Sequence, residues 1–524
     1  MEENNVKRRR GKGVFLVIVL FIVVGVMAVA SLGMQSKEVI VAKALLQIFG
    51  SDSENYMEQV VGIKATNEKM KTQSYEQGFD FNIDKMAKIL DPEGDLFKGT
   101  YFSYISSRDD KNKSMSGTME MGSKDGALFN VATYFDSEFT MFEIPQLADK
   151  FVSWNYSIGD KREAEEIKML RQYTESLYEA AFPDKNVVTR TLAERLFVGQ
   201  GGNTSSLVTD LKITEAGEKI IKLEGQEKKC QGYEIYLSQE MLDTFIDDIV
   251  KGIIEDEQYK EDYINALNLF QILSLFDYEV SSDSVLEEEW EMYVERLEEI
   301  GETIKKILNG ITISIYVDSK NNPVSFVVEG DLSNPDNRRD KAFYKIEILY
   351  NGGDYLYQNY KASISIMYEE EFFQLDIEKK ERVSNKRMTS ETTYLFFDQD
   401  TEYFEGSITT EFDGTNKGFK TKLLSTVQVD GFPFVCYLEI KGNYTDIKKG
   451  ESYTMNAEDI KLNISGINAI NLSGSYYMRP LSQAVKPFEG RGVDIMTEVN
   501  YKFYEELEEN MEKLIEKIEA AYYY

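Results

Sequence analysis

Two thiols are the first groups in this chain that could do covalent chemistry. Cys230 and Cys436 are its only cysteines. Both lie in runs that read as strands, and in an oxidising compartment they form either one disulfide or two separate buried thiols. A bond would close a loop of roughly 200 residues and stabilise the fold by about 5 kcal/mol in the chain-entropy view. There is no histidine among the 524 residues. That zero removes Ser-His-Asp and Cys-His nucleophiles, HExxH proteases and imidazole-held metals. No serine is followed three positions later by lysine, so the SxxK nucleophile is missing too.

Carboxylates remain, 91 of them against 59 Lys and Arg, for a net charge of −32. A two-carboxylate hydrolase needs acids about 5–10 Å apart around a sugar bond, and no spacing here nominates a pair. Glu287-Glu288-Glu289 and Glu369-Glu370-Glu371 read as solvated faces. Calcium is the only metal whose ligand type fits. The twelve residues from Asp318 to Glu329 have the length of a calcium loop, but Lys320 and Pro323 stand where an oxygen ligand and a glycine are needed. Asp398, Asp400 and Glu402 are spaced better, with Tyr403 in place of the glycine. Gly199-Gln200-Gly201-Gly202 lacks the Lys-Ser/Thr ending of a phosphate loop. The chain therefore nominates no catalytic residue, no metal ligand and no cofactor. Its acidity repels phosphate backbones, which excludes nucleic-acid partners.

The elements that would carry any site change character along the chain. Val39, Ala42, Leu45 and Phe49 recur at helical spacing, and a second helix is expected over 54–71. Strands are expected between Phe97 and Phe142, with a hairpin at Asp110-Lys111-Asn112-Lys113, and then a helix over 160–182 stopped by Pro183. Ser238 reads as the N-cap of a helix whose Leu242, Phe245, Ile249 and Ile253 share a face. Ser284 with Glu287 reads as a capping box ahead of the stripe Trp290, Val294, Leu297, Ile304 and Leu308. From Gly310 the period shortens to two: Ile311, Ile313, Ile315 and Val317 alternate with polar residues, and Lys320-Asn321-Asn322-Pro323 turns the chain. Such alternation recurs to Tyr476 with Gly-, Asn- and Asp-rich connections, the pattern of an antiparallel meander with one buried and one wet face. A last helix is expected over 498–521.

At the start, Lys7-Arg8-Arg9-Arg10 and Lys12 precede an uncharged stretch from Gly13 to Ser36. Its apolar core Val14–Gly33, at about 1.5 Å per residue, spans roughly the 30 Å of a bilayer interior. The basic flank assigns that end to the cytoplasm. The rival is a signal peptide cleaved near Ala28-Val29-Ala30. The expected organisation is a cytoplasmic basic tail (1–12), a transmembrane anchor or uncleaved signal (13–34), a mixed α+β extracytoplasmic region (35–310), an antiparallel β-rich region (311–482) and a C-terminal segment with an amphipathic helix (483–524). The expected fold class is α+β: an N-terminal transmembrane helix, then a large curved, half-barrel-like antiparallel sheet with helices packed on its concave face. The expected localisation is the cell membrane, single-pass, with the bulk outside.

Phe142-Glu143-Ile144-Pro145-Gln146-Leu147 and Lys228-Lys229-Cys230-Gln231-Gly232-Tyr233-Glu234-Ile235, behind the basic start, resemble uncharacterised membrane-anchored extracytoplasmic proteins of low-GC Gram-positive bacteria. That resemblance implies no activity and no functional residues. The strand Ile313–Val317, the turn Asp318–Pro323 and the return strand Val324–Glu329 look like a hairpin of LolA- and LppX-type lipoprotein or lipid carriers, an architectural likeness that does not settle function. The functional expectation is a membrane-tethered, non-enzymatic protein binding a hydrophobic ligand or a lipoprotein. The alternatives are a scaffold or interaction protein without a ligand cavity, and a cell-surface two-carboxylate hydrolase. The partner expected is the membrane, with lipid or lipoprotein, and no nucleic acid.

Overall fold

The structure, a computed structural model, describes residues 36–155, 212–261, 283–494 and 501–523, short breaks inside them aside, with a few positions between. Twenty strands form one sheet. From one edge to the other the order is β7 (Ile213–Leu223), β8 (Gln226–Leu237), β9 (Leu308–Val317), β10 (Pro323–Ser333), β11 (Lys341–Gly352), β12 (Asn359–Tyr368), β13 (Glu371–Ser384), β14 (Arg387–Asp398), β15 (Thr401–Asp413), β16 (Gly418–Val429), β17 (Phe432–Lys448), β18 (Ser452–Ile464) and β19 (Ile467–Pro480). Then follow β1 (Tyr75–Met86), β2 (Tyr101–Asp109), β3 (Ser114–Ser123), β4 (Gly126–Phe135), β5 (Phe139–Glu143), β6 (Phe151–Asn155) and the short β20 (Gly492–Asp494). Every pairing is antiparallel except β20 on β6. The change of period at Gly310 is therefore no boundary in the sheet. The strands before it flank the later meander on both sides, β8 beside β9 and β1 beside β19.

Tight turns make the meander. Asn385 and Lys386 (φ 50° and 64°) join β13 to β14, and Ser465 and Gly466 (φ 47° and 83°) join β18 to β19. Left-handed values at both central positions match the twist of the flanking strands. The expected hairpin after Val317 forms as read, Asp318 Oδ1 accepting the N–H groups of Lys320 (2.8 Å) and Asn322 (3.0 Å).

Following the register strand by strand sorts the side chains onto two faces. On the helix face, α1 (Ser36–Phe49), α4 (Gln239–Ile254) and α5 (Asp283–Ile307) pack on β8 to β11. Val41, Leu45, Leu242 and Phe245 bury with Ile235, Ile313, Ile315, Phe326 and Val328. A second core lies under α2 (Tyr56–Val61) and α3 (Ile63–Met70), where Val61 and Met70 meet Met388, Phe412, Phe419, Tyr444, Tyr453 and Met478. The single helix expected over 54–71 is broken at Gly62 (φ +74°). A side chain there would also come within 2.4 Å of Lys449 Cγ. The C-terminal helix α6 (Tyr501–Tyr523) seats Phe503 against Ala148 and Val493.

Several boundaries move. Ser238 caps α4 as expected, accepting the Met241 N–H at 3.3 Å. Helix α5 begins at Asp283, so Ser284 lies inside it, and Leu308 opens β9 instead of closing the helical stripe. The helix expected over 160–182 falls mostly outside the described residues. They include its end, where the Phe182 N–H donates to Tyr178 O and the Phe182 ring lies under Arg108 and Lys113.

The expected fold class needs correction. The single-pass anchor, and the membrane localisation built on it, is not supported. Among the described residues no helix is long and apolar enough to cross a membrane, and the stretch 13–34 lies outside them.

Asp109 ties the C-terminal segment to the β2–β3 turn. Only 3% exposed, it accepts the N–H of Lys111 and of Asn112 (both 3.1 Å), the Asn112 amide (2.7 Å) and the Val485 N–H (3.3 Å). Burial pushes its pKa up, but the hydrogen bonds outweigh burial and hold it below the ordinary 3.8. The stability it contributes is present above that ordinary value and is lost as pH falls through the lowered one. In acid titration followed by circular dichroism, Asp109→Asn should flatten the loss of stability below about pH 4 relative to wild type. Leu45→Ala, in the first core, should lower stability by about 2–5 kcal/mol in denaturant melts, whereas Ile366→Ala, half-open on the sheet, should cost far less.

Candidate functional site

The open face carries a trough across the middle of the sheet, with a volume of about 760 Å³. Register explains its lining. One row of directly paired positions runs Glu347, Ser363, Asp376, Leu395, Glu405, Thr426 from β11 to β16. The adjacent row runs Leu349, Lys361, Glu378, Thr393, Ser407, Leu424 over the same six strands. All twelve line the trough, with Gln374 and Glu391 beside them. Five strand spacings of about 4.8 Å make it roughly 24 Å long, perpendicular to the strands.

Several of its acids are already engaged. Glu378 takes Lys361 and Lys380 (both 3.1 Å), Glu347 takes Lys345 (2.9 Å), and the Gln374 amide bonds both oxygens of Asp376 (2.7 and 2.9 Å). Partial burial works to raise the Glu378 pKa, yet the two ammonium groups hold it below the ordinary 4.5. Glu391 and Glu405 are exposed, and no ion pair engages them among the described residues. Among the described residues, the carboxyls drawn away from their ordinary values, Asp109, Glu378, Asp413, Glu439 and Glu509, are drawn down.

A second surface lies on the helix face of β12 to β17, outside both cores. Ile364, Leu375, Ile377, Phe396, Phe404, Leu423 and Leu438 are directly or diagonally paired there, half-exposed, and belong to neither core. Tyr394 stacks on Phe404 with centroids 5.1 Å apart. Further across the same face, Phe79, Phe81, Phe102 and Tyr104 form a ring ladder with centroids 5.4–6.3 Å apart.

The residues singled out from sequence are not brought together. Cys230 on β8 and Cys436 on β17 are free thiols. They lie nine strands apart in the sheet order. Their registers also put them on opposite faces: Cys230 is buried with Ile221, Leu223 and Val324, while Cys436 shares the helix face with Phe434 and Leu438. In the structure the two thiols are unbonded. Asp318 caps its turn, Asp400 lies outside the described residues, and no group of three metal-ligating residues occurs among those described. The trough residues were missed because each is an ordinary polar residue on a strand, and only cross-strand register aligns them.

No family model and no curated protein matches the chain. Among solved structures it is similar to Wzi, an outer-membrane protein of Escherichia coli involved in group 1 capsule assembly and described as a carbohydrate-binding β-barrel. That match has 6% identity, covers 84% of this chain and 93% of that one, and has a TM-score of 0.23. OccK5 (OpdH) of Pseudomonas aeruginosa (6% identity, 78% and 96% covered, TM-score 0.11) and transferrin binding protein B of Haemophilus parasuis (8%, 78% and 75%, TM-score 0.11) are more distant. Scores this low place none of them in a shared fold with this chain.

The two thiols report on this geometry. Burial, with Asp318 nearby, holds the Cys230 thiol above its ordinary pKa. A thiol reagent at neutral pH should therefore label Cys436 in the folded protein and reach Cys230 only after unfolding. Non-reducing peptide maps should show no peptide joining the two.

Proposed function

We propose that the protein acts by binding and not by catalysis, and that an elongated polar ligand lies in the trough of the open face. The observation that carries this reading is the pair of aligned rows, twelve side chains from six strands facing one continuous depression. Acceptor carboxylates, hydroxyls and leucines alternate along them, and a rigid ladder holds their spacing. Each net hydrogen bond at such a half-wet site adds about 0.5–1.5 kcal/mol, so affinity accumulates with ligand length. The lining mixes carboxylates and hydroxyls with Leu349, Leu395 and Leu424, so apolar surface is available beside the polar groups.

The helix-face strip favours a second reading. Contiguous half-exposed apolar residues on a single-layer sheet mark a contact surface, and an acyl chain or another apolar partner would meet Ile364, Leu375 and Phe404 there. The first reading expects a water-soluble polymer to bind the full-length protein and to lose at least tenfold in affinity when Thr393→Trp and Ser407→Trp fill the trough. The panel is polylysine, polyglutamate, a neutral polysaccharide and laurate, read by calorimetry. Laurate binding that survives the filled trough but is lost in Leu375→Glu moves the function to the apolar strip. Equal binding of every probe by wild type and both variants overturns binding at either face.

A further inference from the structure

Resting on the trough reading, we infer that its ligand is a neutral polyhydroxylated chain, a glycan laid across the strands, and not a cation or a basic peptide. The charges decide first. Glu347, Asp376 and Glu378 already have donors within the protein, from Lys345, the Gln374 amide, and Lys361 with Lys380. At three of the five trough carboxylates a polycation would have to displace these partners or compete with them, leaving only Glu391 and Glu405 free for it. A hydroxyl needs neither step: a carboxylate held by one donor keeps free lone pairs that accept vicinal O–H groups. The Lys361 ammonium, between Glu378 and the trough, still has N–H bonds to donate to a ring or hydroxyl oxygen.

The neutral rungs decide second. Ser363, Thr393, Ser407 and Thr426 bring hydroxyls that both donate and accept, the complement of a sugar's own groups. Leu349, Leu395 and Leu424 interrupt them with apolar surface suited to the C–H faces of pyranose rings. Leu424 is 41% exposed, which leaves that surface accessible. The trough is also open along its length and about 24 Å long at the usual strand spacing, which suits a chain passing through better than a small enclosed molecule.

Calorimetry on the full-length protein tests this with maltohexaose, cellohexaose and chitohexaose as probes, and with polylysine as the competing chemistry. At least one hexasaccharide should bind, more tightly than its disaccharide, with affinity unchanged between about 0.05 and 0.5 M salt because no ion pair is formed. Glu405→Gln, which preserves shape, should weaken it about three- to tenfold. Thr393→Trp should abolish it, and circular dichroism melts should match wild type because both positions are exposed. If none of the three hexasaccharides binds while polylysine binds in a salt-sensitive way that Thr393→Trp blocks, the glycan inference is wrong and the trough reading stands. Hexasaccharide binding that Thr393→Trp and Glu405→Gln leave unchanged overturns the inference, and no probe binding at all overturns both.

Discussion

The backbone ladder that runs from β7 to β6 is the constraint on which everything else depends. In an antiparallel pair, residues directly opposite project to the same side. One assignment of a side chain to a face therefore propagates across neighbouring strands, bulges apart. Ile315 faces the helices because Tyr233 and Phe326 do, and by the same chain of pairings Thr393 and Ser407 face away from them. A slip of one residue at any hairpin would exchange the two faces beyond it. The two-residue turns at Asn385-Lys386 and Ser465-Gly466 hold that register.

The two faces then divide the physical work. Apolar burial is concentrated in two places, under α1, α4 and α5 at one end and under α2 and α3 further along. Away from the cores the meander is held by its ladder and by cross-strand pairs, among them Lys361–Glu378, Lys420–Glu439 and Thr410–Thr421. Exposed pairs of this kind contribute little each, so the sheet relies on its two cores. The edge strand β7 is protected in its own way. Gly217 (φ +79°) sits at a register shift, and Glu215, Glu218, Lys219 and Lys222 line the strand. Charges and irregularities of this kind discourage edge-to-edge pairing.

Much of the local structure was legible along the chain. The alternation Ile311/Ile313/Ile315/Val317 appears as the buried face of β9, the Asp318 turn closes as read, and Ser238 caps its helix. These features depend on neighbours a few residues away, and a period of two or 3.6 reports them directly. The misreadings at Gly62, Ser284 and Leu308 share a cause. A helix's termini depend on what the next element needs, and the chain needed a left-handed break at Gly62 and a strand starting at Leu308.

The amino-acid sequence by itself determined which chemistry is absent and where the backbone repeats: no imidazole, no SxxK, helical stripes such as Leu242/Phe245/Ile249, and the strand alternation that continues past Gly310. Both follow from residue type and short-range spacing. Tertiary structure alone decided that β1 lies beside β19 almost 400 residues away, that Cys230 and Cys436 face opposite sides, and that Ser363, Asp376, Thr393, Glu405 and Leu424 line one trough. Those relations are set by pairing between distant strands. No short window carries that information, because the same alternating segment fits many partners until the ladder selects one.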